Sequence, residues 1–272
     1  RDRWRSTDNG GTGVHTTPDG EVPKIIQLEG GYESGMALMN SGELYHWGYG
    51  GHGQTGDAST SNRSYATRVG GSDTNVYLAA NDSNHVFRSI RIKRCFISNW
   101  QGYNDNTHSC YAIDEDGELW SWGYNGYGQL GNGNTSNQSV PVKIDKATNF
   151  NNSEIEAFWC FGESYTWAMA YTKEKKLYVW GYNGNGQLGI GNTSNQSSPQ
   201  EVTTVTFDGS GVGEIKKAQG TARSSDGNMA ILTERGTIYT TGSNGHGWMG
   251  NGNTTNLNTW TICSNGAGNA SN

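Results

Sequence analysis

The sequence predicts an all-β chain folded as a β-propeller of four-stranded antiparallel blades, four of which are recognisable as repeats. Three observations carry this. One pattern recurs four times at intervals of about 60 to 65 residues, as in a repeat architecture. Each copy holds short extended runs bounded by Gly, Asn, Ser and Asp, which favours strands and turns over helices. Only 16% of residues are charged, whereas 41 are Gly and 11% are aromatic, a balance that suits tight turns and apolar burial by aromatic rings.

The repeat is plainest in its third strand and the loop that follows. The four segments read GELYHWGYGGHGQTG from Gly42, GELWSWGYNGYGQLGNGNTSNQSVP from Gly117, KKLYVWGYNGNGQLGIGNTSNQSSP from Lys175 and GTIYTTGSNGHGWMGNGNTTN from Gly236. Trp47, Trp122 and Trp180 open the Trp-Gly pairs and are expected to supply bulk between blades, with Thr241 in that place in the fourth copy. Gly53, Gly128, Gly186 and Gly247 are expected in equivalent turns. Upstream, Ile26, Ile90, Ile155 and Ile215 mark the first strands. Ala37, Ala112, Ala168 and Ala230 mark the second, where small side chains permit close approach between blades. In the third copy the four strands are read as Ile155 to Phe161, Thr166 to Tyr171, Leu177 to Trp180 and Glu201 to Phe207.

A single blade cannot bury both of its faces, so the blades must stack around an axis. The propeller is expected over residues 23–264, with 1–22 as the end of a preceding blade and 265–272 as a tail. Four copies leave two faces wet, which calls for closure by further blades of a longer propeller or by another subunit.

The pattern G-x-L-[YW]-x-W-G-x-N-x-x-G-Q-L-G, with a Pro about ten residues on, resembles the repeat of the regulator of chromosome condensation family. Gly117 to Gly131 match it almost in full, Leu177 to Gly189 and Gly42 to Gly56 keep it, and the fourth copy is looser. The resemblance implies a blade of four strands and, in complete members, a ring of seven. The family's founding member is a nuclear guanine nucleotide exchange factor that binds chromatin, but its functional loop maps onto no residue of this sequence.

The formal net charge of −6 opposes nucleic acid or an anionic membrane as partner, since both need clustered Lys and Arg. The basic run Arg88 to Arg94 reads as a strand with one solvated side. No stretch approaches the ~18 to 20 apolar residues of a spanning helix.

The chemical motifs read as structure. Gly48 to Gly53, Gly126 to Gly131, Gly184 to Gly189 and Gly245 to Gly250 satisfy G-x-G-x-x-G, but no helix follows to hold a pyrophosphate, and recurrence in every blade indicates turn geometry. Asp114-Glu115-Asp116-Gly117 begins like a calcium loop without the acid at its twelfth position, and is read as a hairpin turn. Cys95, Cys110, Cys160 and Cys263 lack CxxC or zinc-ligand spacing; Cys95 and Cys110 flank one loop, as a disulfide or as small buried residues. The six histidines are scattered, so no metal, cofactor or catalytic residue is assigned and the chain is read as non-enzymatic. Asn62, Asn134, Asn137, Asn192 and Asn195 fall in N-x-[ST] triplets that the repeat itself generates.

The second copy alone carries an insertion, at about Ser98 to His108. Long loops on a rigid scaffold often carry recognition, and Trp100, Tyr103 and Asn104 are therefore the candidate contacts to a protein partner or a surface glycan. The alternative is a loop that covers an edge or another subunit in self-assembly. The leading functional reading is a structural or binding module on a virion or cell surface, such as a phage tail-fibre, capsid-decoration or adhesin-like protein. The second is an intracellular protein-interaction propeller regulating a small GTPase.

Overall fold

The computed structural model describes residues 24–264 apart from 32, 71–86, 88–89, 99–105, 163–164 and 224–225. These residues form four antiparallel four-stranded sheets, each in simple chain order. Blade 1 holds β1 (Ile25–Gly30), β2 (Ser34–Met39), β3 (Leu44–Gly48) and β4 (Arg63–Arg68). Blade 2 holds β5 (Ile92–Ile97), β6 (Ser109–Asp114), β7 (Leu119–Gly123) and β8 (Gln138–Ile144). Blade 3 holds β9 (Ile155–Phe161), β10 (Trp167–Thr172), β11 (Leu177–Gly181) and β12 (Gln196–Glu201). Blade 4 holds β13 (Ile215–Arg223), β14 (Asp226–Thr233), β15 (Ile238–Gly242) and β16 (Leu257–Ile262). Among the described residues the sole helical turn is α1 (Lys146–Asn149).

The second and third strands of the inner blades are buried on both faces because a neighbour covers each. Successive side chains of a strand point to opposite faces. Along β6, Cys110 and Ala112 pack toward blade 1 while Tyr111 and Ile113 pack toward blade 3. Along β10, Ala168 and Ala170 join the cluster shared with blade 2, and Trp167 and Met169 the one shared with blade 4. Trp122 and Trp180 are fully buried in these clusters, each ring contributing on the order of 3 kcal/mol. The outer fourth strands tolerate Pro141 and Pro199 because an edge strand can lack an amide donor.

The cross-strand register revises three sequence readings. A bulge one residue into each first strand makes Ile25, Ile92, Ile155 and Ile215 the equivalent positions, in place of Ile26 and Ile90 in the first two blades. Ala37 pairs with Tyr45 and Ala112 with Trp120, so their counterparts are Ala170, opposite Tyr178, and Ile231, opposite Tyr239, instead of Ala168 and Ala230. The fourth strand of blade 3 is Gln196–Glu201, ahead of the expected Glu201 to Phe207. The presumed end segments, 1–22 and 265–272, lie outside the described residues.

Candidate functional site

In each blade the turn between strands one and two and the Gly-rich loop between strands three and four lie at the same end of the sheet, here called the loop end. The Gly-rich loop is built from the inside. Asn183 is fully buried; its Oδ1 accepts the Leu188 amide at 3.0 Å, and its Nδ2 donates to the Asn192 and Ser194 carbonyls at 3.0 and 3.1 Å. Asn125 and Asn244 repeat these bonds. A second Asn closes the loop, since the amides of Gly50, Asn125, Asn183 and Asn244 donate to Asn62, Asn137, Asn195 and Asn256.

The loops of blades 1, 2 and 3 also dock on the next blade. Gly53, Gly128, Gly186 and Gly247 have φ of +87°, +77°, +79° and +74° and occupy equivalent turns, as expected. A Cβ at Gly53, Gly128 or Gly186 would stand 2.5, 2.6 or 2.6 Å from the Cα of Ser139, Ser197 or Asn258 in the following blade. The repeat tryptophans fasten the same junctions: Trp122 Nε1 donates to the Gln54 carbonyl at 2.8 Å and Trp180 Nε1 to that of Gln129 at 2.9 Å. Among the described residues no further blade covers blade 4, and Trp248, in the place of the fully buried Gln54, Gln129 and Gln187, is 66% exposed.

The two ends of the array differ in chemistry. Ion pairs gather at the end opposite the loops: Arg68–Glu43, Arg91–Glu115, Lys143–Glu118, Lys173–Glu154, Lys175 with Glu156 and Glu214, Lys176–Glu201 and Lys216–Glu234. Among the described residues only Arg63–Asp57 is an ion pair of the loop end. There, aromatic rings bridge the blades. His52 of blade 1 lies 5.2 Å from Tyr124 of blade 2. Tyr127 of blade 2 meets Tyr182 and Tyr165 of blade 3 at 5.1 and 5.0 Å, and Tyr165 meets Tyr182 at 4.8 Å. All three phenols are half-buried. Burial, then the neighbouring Tyr165, pushes the Tyr127 hydroxyl up to about 12, so it remains a neutral hydrogen-bonding group at physiological pH.

The insertion opens onto this end. Trp100, Tyr103 and Asn104 lie outside the described residues, but both flanks are anchored. Ser98 Oγ accepts the Ser109 amide at 2.9 Å, and the Asn106 carbonyl accepts Gln54 Nε2 at 2.7 Å from blade 1. Beneath this stem, blade stacking unites residues that are far apart in sequence. The ligand atoms of His46, His108 and Cys110 all lie within 4.8 Å of one another, and all three residues are buried. Burial, then mutual repulsion with His108, holds His46 down at about 3; burial, then His52, holds His108 at about 4. The histidines, scattered in sequence, are thus in part brought together by the fold.

The other motifs are structural. Asp114 accepts from Trp120 Nε1 and the Glu118 amide, both at 2.9 Å, which makes 114–117 a braced hairpin turn. All four cysteines are free thiols; Cys95 stands opposite Ala112 and Cys110 opposite Ile97, which excludes the Cys95–Cys110 disulfide.

The family model described as regulator of chromosome condensation (RCC1) repeat matches residues 116–167 and 175–217. The ultraviolet-B receptor UVR8 of Arabidopsis thaliana is 30% identical over 211 residues, which are 73% of this chain and 41% of that protein. The chain belongs to the RCC1-repeat family.

Other RCC1-repeat relatives include the E3 ubiquitin-protein ligase HERC2 of Homo sapiens, 26% identical over 265 residues, 85% of this chain and 5% of that one. The chain thus spans less than half the length of these curated relatives. Solved structures carry the same fold: human WBSCR16 has a TM-score of 0.64 at 22% identity, over 89% of this chain and 53% of that one. Prp20p from Saccharomyces cerevisiae has 0.62 at 19%, over 93% and 53%. These relatives support an RCC1-like propeller suited to protein binding, the second of the two sequence readings, and nothing among them supports a virion or cell-surface role.

Proposed function

We propose that this RCC1-repeat chain is a non-catalytic protein-interaction module that takes its partner on the loop end of blades 2 and 3, around Tyr127, Tyr165 and Tyr182. The segregation of chemistry between the two ends carries the reading. Interface cores are depleted of Lys, Glu and Asp and enriched in Tyr and Trp, and the loop end combines that composition with loops pinned by buried Asn networks. The insertion that carries Trp100 and Tyr103 joins β5 to β6 at this same end of blade 2. Prp20p has binding properties to Gsp1p and histones; by analogy of fold, a protein partner is expected here, and the small GTPase of the second sequence reading is the first class to test.

The test is site-specific photo-cross-linking in the native host. A photoreactive phenylalanine analogue at Tyr127 or Tyr182 is expected to capture the same discrete partner, whereas one at Glu115 or Lys173, at the opposite end, captures none. Capture confined to the opposite end would overturn the assignment.

A further inference from the structure

We propose that His46, His108 and Cys110 form a binding site for a soft, thiophilic transition-metal ion, Zn²⁺ or Cu⁺, clamped between blades 1 and 2. His46 comes from β3 of blade 1; Cys110 lies on β6 of blade 2, and His108 just precedes it. Both ring nitrogens of His46 and Nε2 of His108 are buried and have no hydrogen-bond partner among the described residues. Buried imidazoles ordinarily satisfy their nitrogens, so three orphaned nitrogens beside a thiol need an explanation; a metal takes one nitrogen from each ring and leaves a single His46 nitrogen without a partner among the described residues.

The geometry suits it. Tetrahedral nitrogen and sulfur ligands at about 2.0 to 2.3 Å from a metal stand roughly 3.3 to 3.6 Å apart, so atoms now within 4.8 Å close on an ion by about 1 Å of side-chain adjustment. Cys110 gives its proton to solvent as the sulfur–metal bond forms. Its one weak bond, donated to the Gln54 carbonyl at 3.6 Å, is then lost, but that carbonyl keeps the Trp122 indole N–H at 2.8 Å. A thiolate with two imidazoles selects Zn²⁺ or Cu⁺ over hard cations. With Cu⁺ the three-ligand site is electrically neutral, which favours it in these buried surroundings.

The repeat provides an internal comparison. By strand register the positions of His46, His108 and Cys110 are held at the next junction by Ser121, Thr166 and Ala168, all fully buried. Three donors therefore converge at one junction where its neighbour has a lone pair of hydroxyls and a methyl group. Substitutions borrowed from that neighbour are ones a blade junction already accommodates.

The protein, reduced and stripped with a chelator, is titrated with Zn²⁺ and, anaerobically, with Cu⁺; Co²⁺ reports the ligand set. One equivalent of Zn²⁺ or Cu⁺ is expected to bind, raising the thermal midpoint. Co²⁺ should give a thiolate-to-cobalt charge-transfer band that Cys110→Ala abolishes. His46→Ser, His108→Thr and Cys110→Ala together should weaken binding about 100-fold or more, with near-ultraviolet circular dichroism showing the fold retained. Should the triple variant misfold, Cys110→Ala alone decides through the lost band. Failure of both ions to bind at one equivalent, a cobalt adduct without a thiolate band, or unchanged affinity in the folded triple variant would each overturn the site.

Discussion

Replacing Asn183 with Ala tests the claim that a buried amide builds each Gly-rich loop. The substitution deletes the acceptor for the Leu188 amide and the donor to the Asn192 and Ser194 carbonyls. The two carbonyls belong to exposed residues and can recruit water, so their loss costs only a net hydrogen bond or so, about 1 kcal/mol. Leu188 is fully buried, and its orphaned amide costs about 1 to 3 kcal/mol. The sum, about 2 to 4 kcal/mol, is a large share of the roughly 5 to 15 kcal/mol that holds a domain folded. Urea unfolding followed by tryptophan fluorescence should register it as a fall in midpoint of about 1 to 2 M, at a typical slope of about 2 kcal/mol per molar. Asn125→Ala should behave alike, since it makes the same bonds. Losses under about 1 kcal/mol for both variants would refute the reasoning. Blade 1 shows the alternative solution: with Gly50 in this position, its loop is held by Asp57, which accepts from Thr55, Ser59 and Arg63.

Three further outcomes follow from the same geometry. Gly186→Ala should destabilise by more than about 2 kcal/mol, because its Cβ meets Asn258 backbone as well as a left-handed φ, whereas Gly247→Ala, with nothing nearer than 4.0 Å, costs only the backbone strain of about 1 kcal/mol; parallel urea melts separate the two. Lys175 has φ of +62° where the other hairpins have Gly42, Gly117 and Gly236, so Lys175→Gly should relieve about 1 kcal/mol of strain and lose its ion pairs with Glu156 and Glu214; melts should show near-neutrality at low salt and a gain at high salt. Replacing Trp100 and Tyr103 with Ala should weaken partner binding by on the order of 2 kcal/mol with an unchanged thermal midpoint; full binding with a lowered midpoint would place those rings inside the fold.

The inner strands and the turn glycines were legible in the sequence because repetition restates the same constraint four times. A left-handed φ joined to a neighbour's backbone at 2.5 to 2.6 Å leaves no alternative to Gly at 53, 128 and 186, and the pattern records it. The fourth strand was hidden because Gln196–Glu201 reads QSSPQE, with a proline and no apolar alternation, as its outer position requires. The alanine equivalence slipped because the turns between first and second strands differ in length; counting back from Trp122 and Trp180 instead, as the hydrogen-bond register does, aligns Ala112 with Ala170. Tyr127 and Tyr182 stood in plain view at loop tips, yet their meeting with Tyr165 depends on how blade 2 lies against blade 3. The histidines looked scattered for the same reason. The available signal was His46 itself, a polar ring at a third-strand position that reads Ser121, Val179 and Thr240 elsewhere.

Three departures from the repeat gather in space, and that gathering bears on function more than the repeat does. What all four blades share is accounted for by turn geometry, interblade packing and loop hydrogen bonding. His46, His108 and Cys110, the anchored stem of the insertion and the pairing of Tyr127 with Tyr165 beside the repeat residue Tyr182 are not required by any of these, since other blades fold without them. All three lie toward the loop end, at the two junctions that blade 2 makes with its neighbours. A metal between blades 1 and 2 would set the angle at which the insertion leaves its stem, because His108 stands two residues from Asn106, which is tied to blade 1 through Gln54. The coupling has a direct consequence: if the two proposals are both right, stripping the ion should weaken binding at the tyrosine face without unfolding blade 3, and if only one is right, partner affinity should not respond to the metal at all.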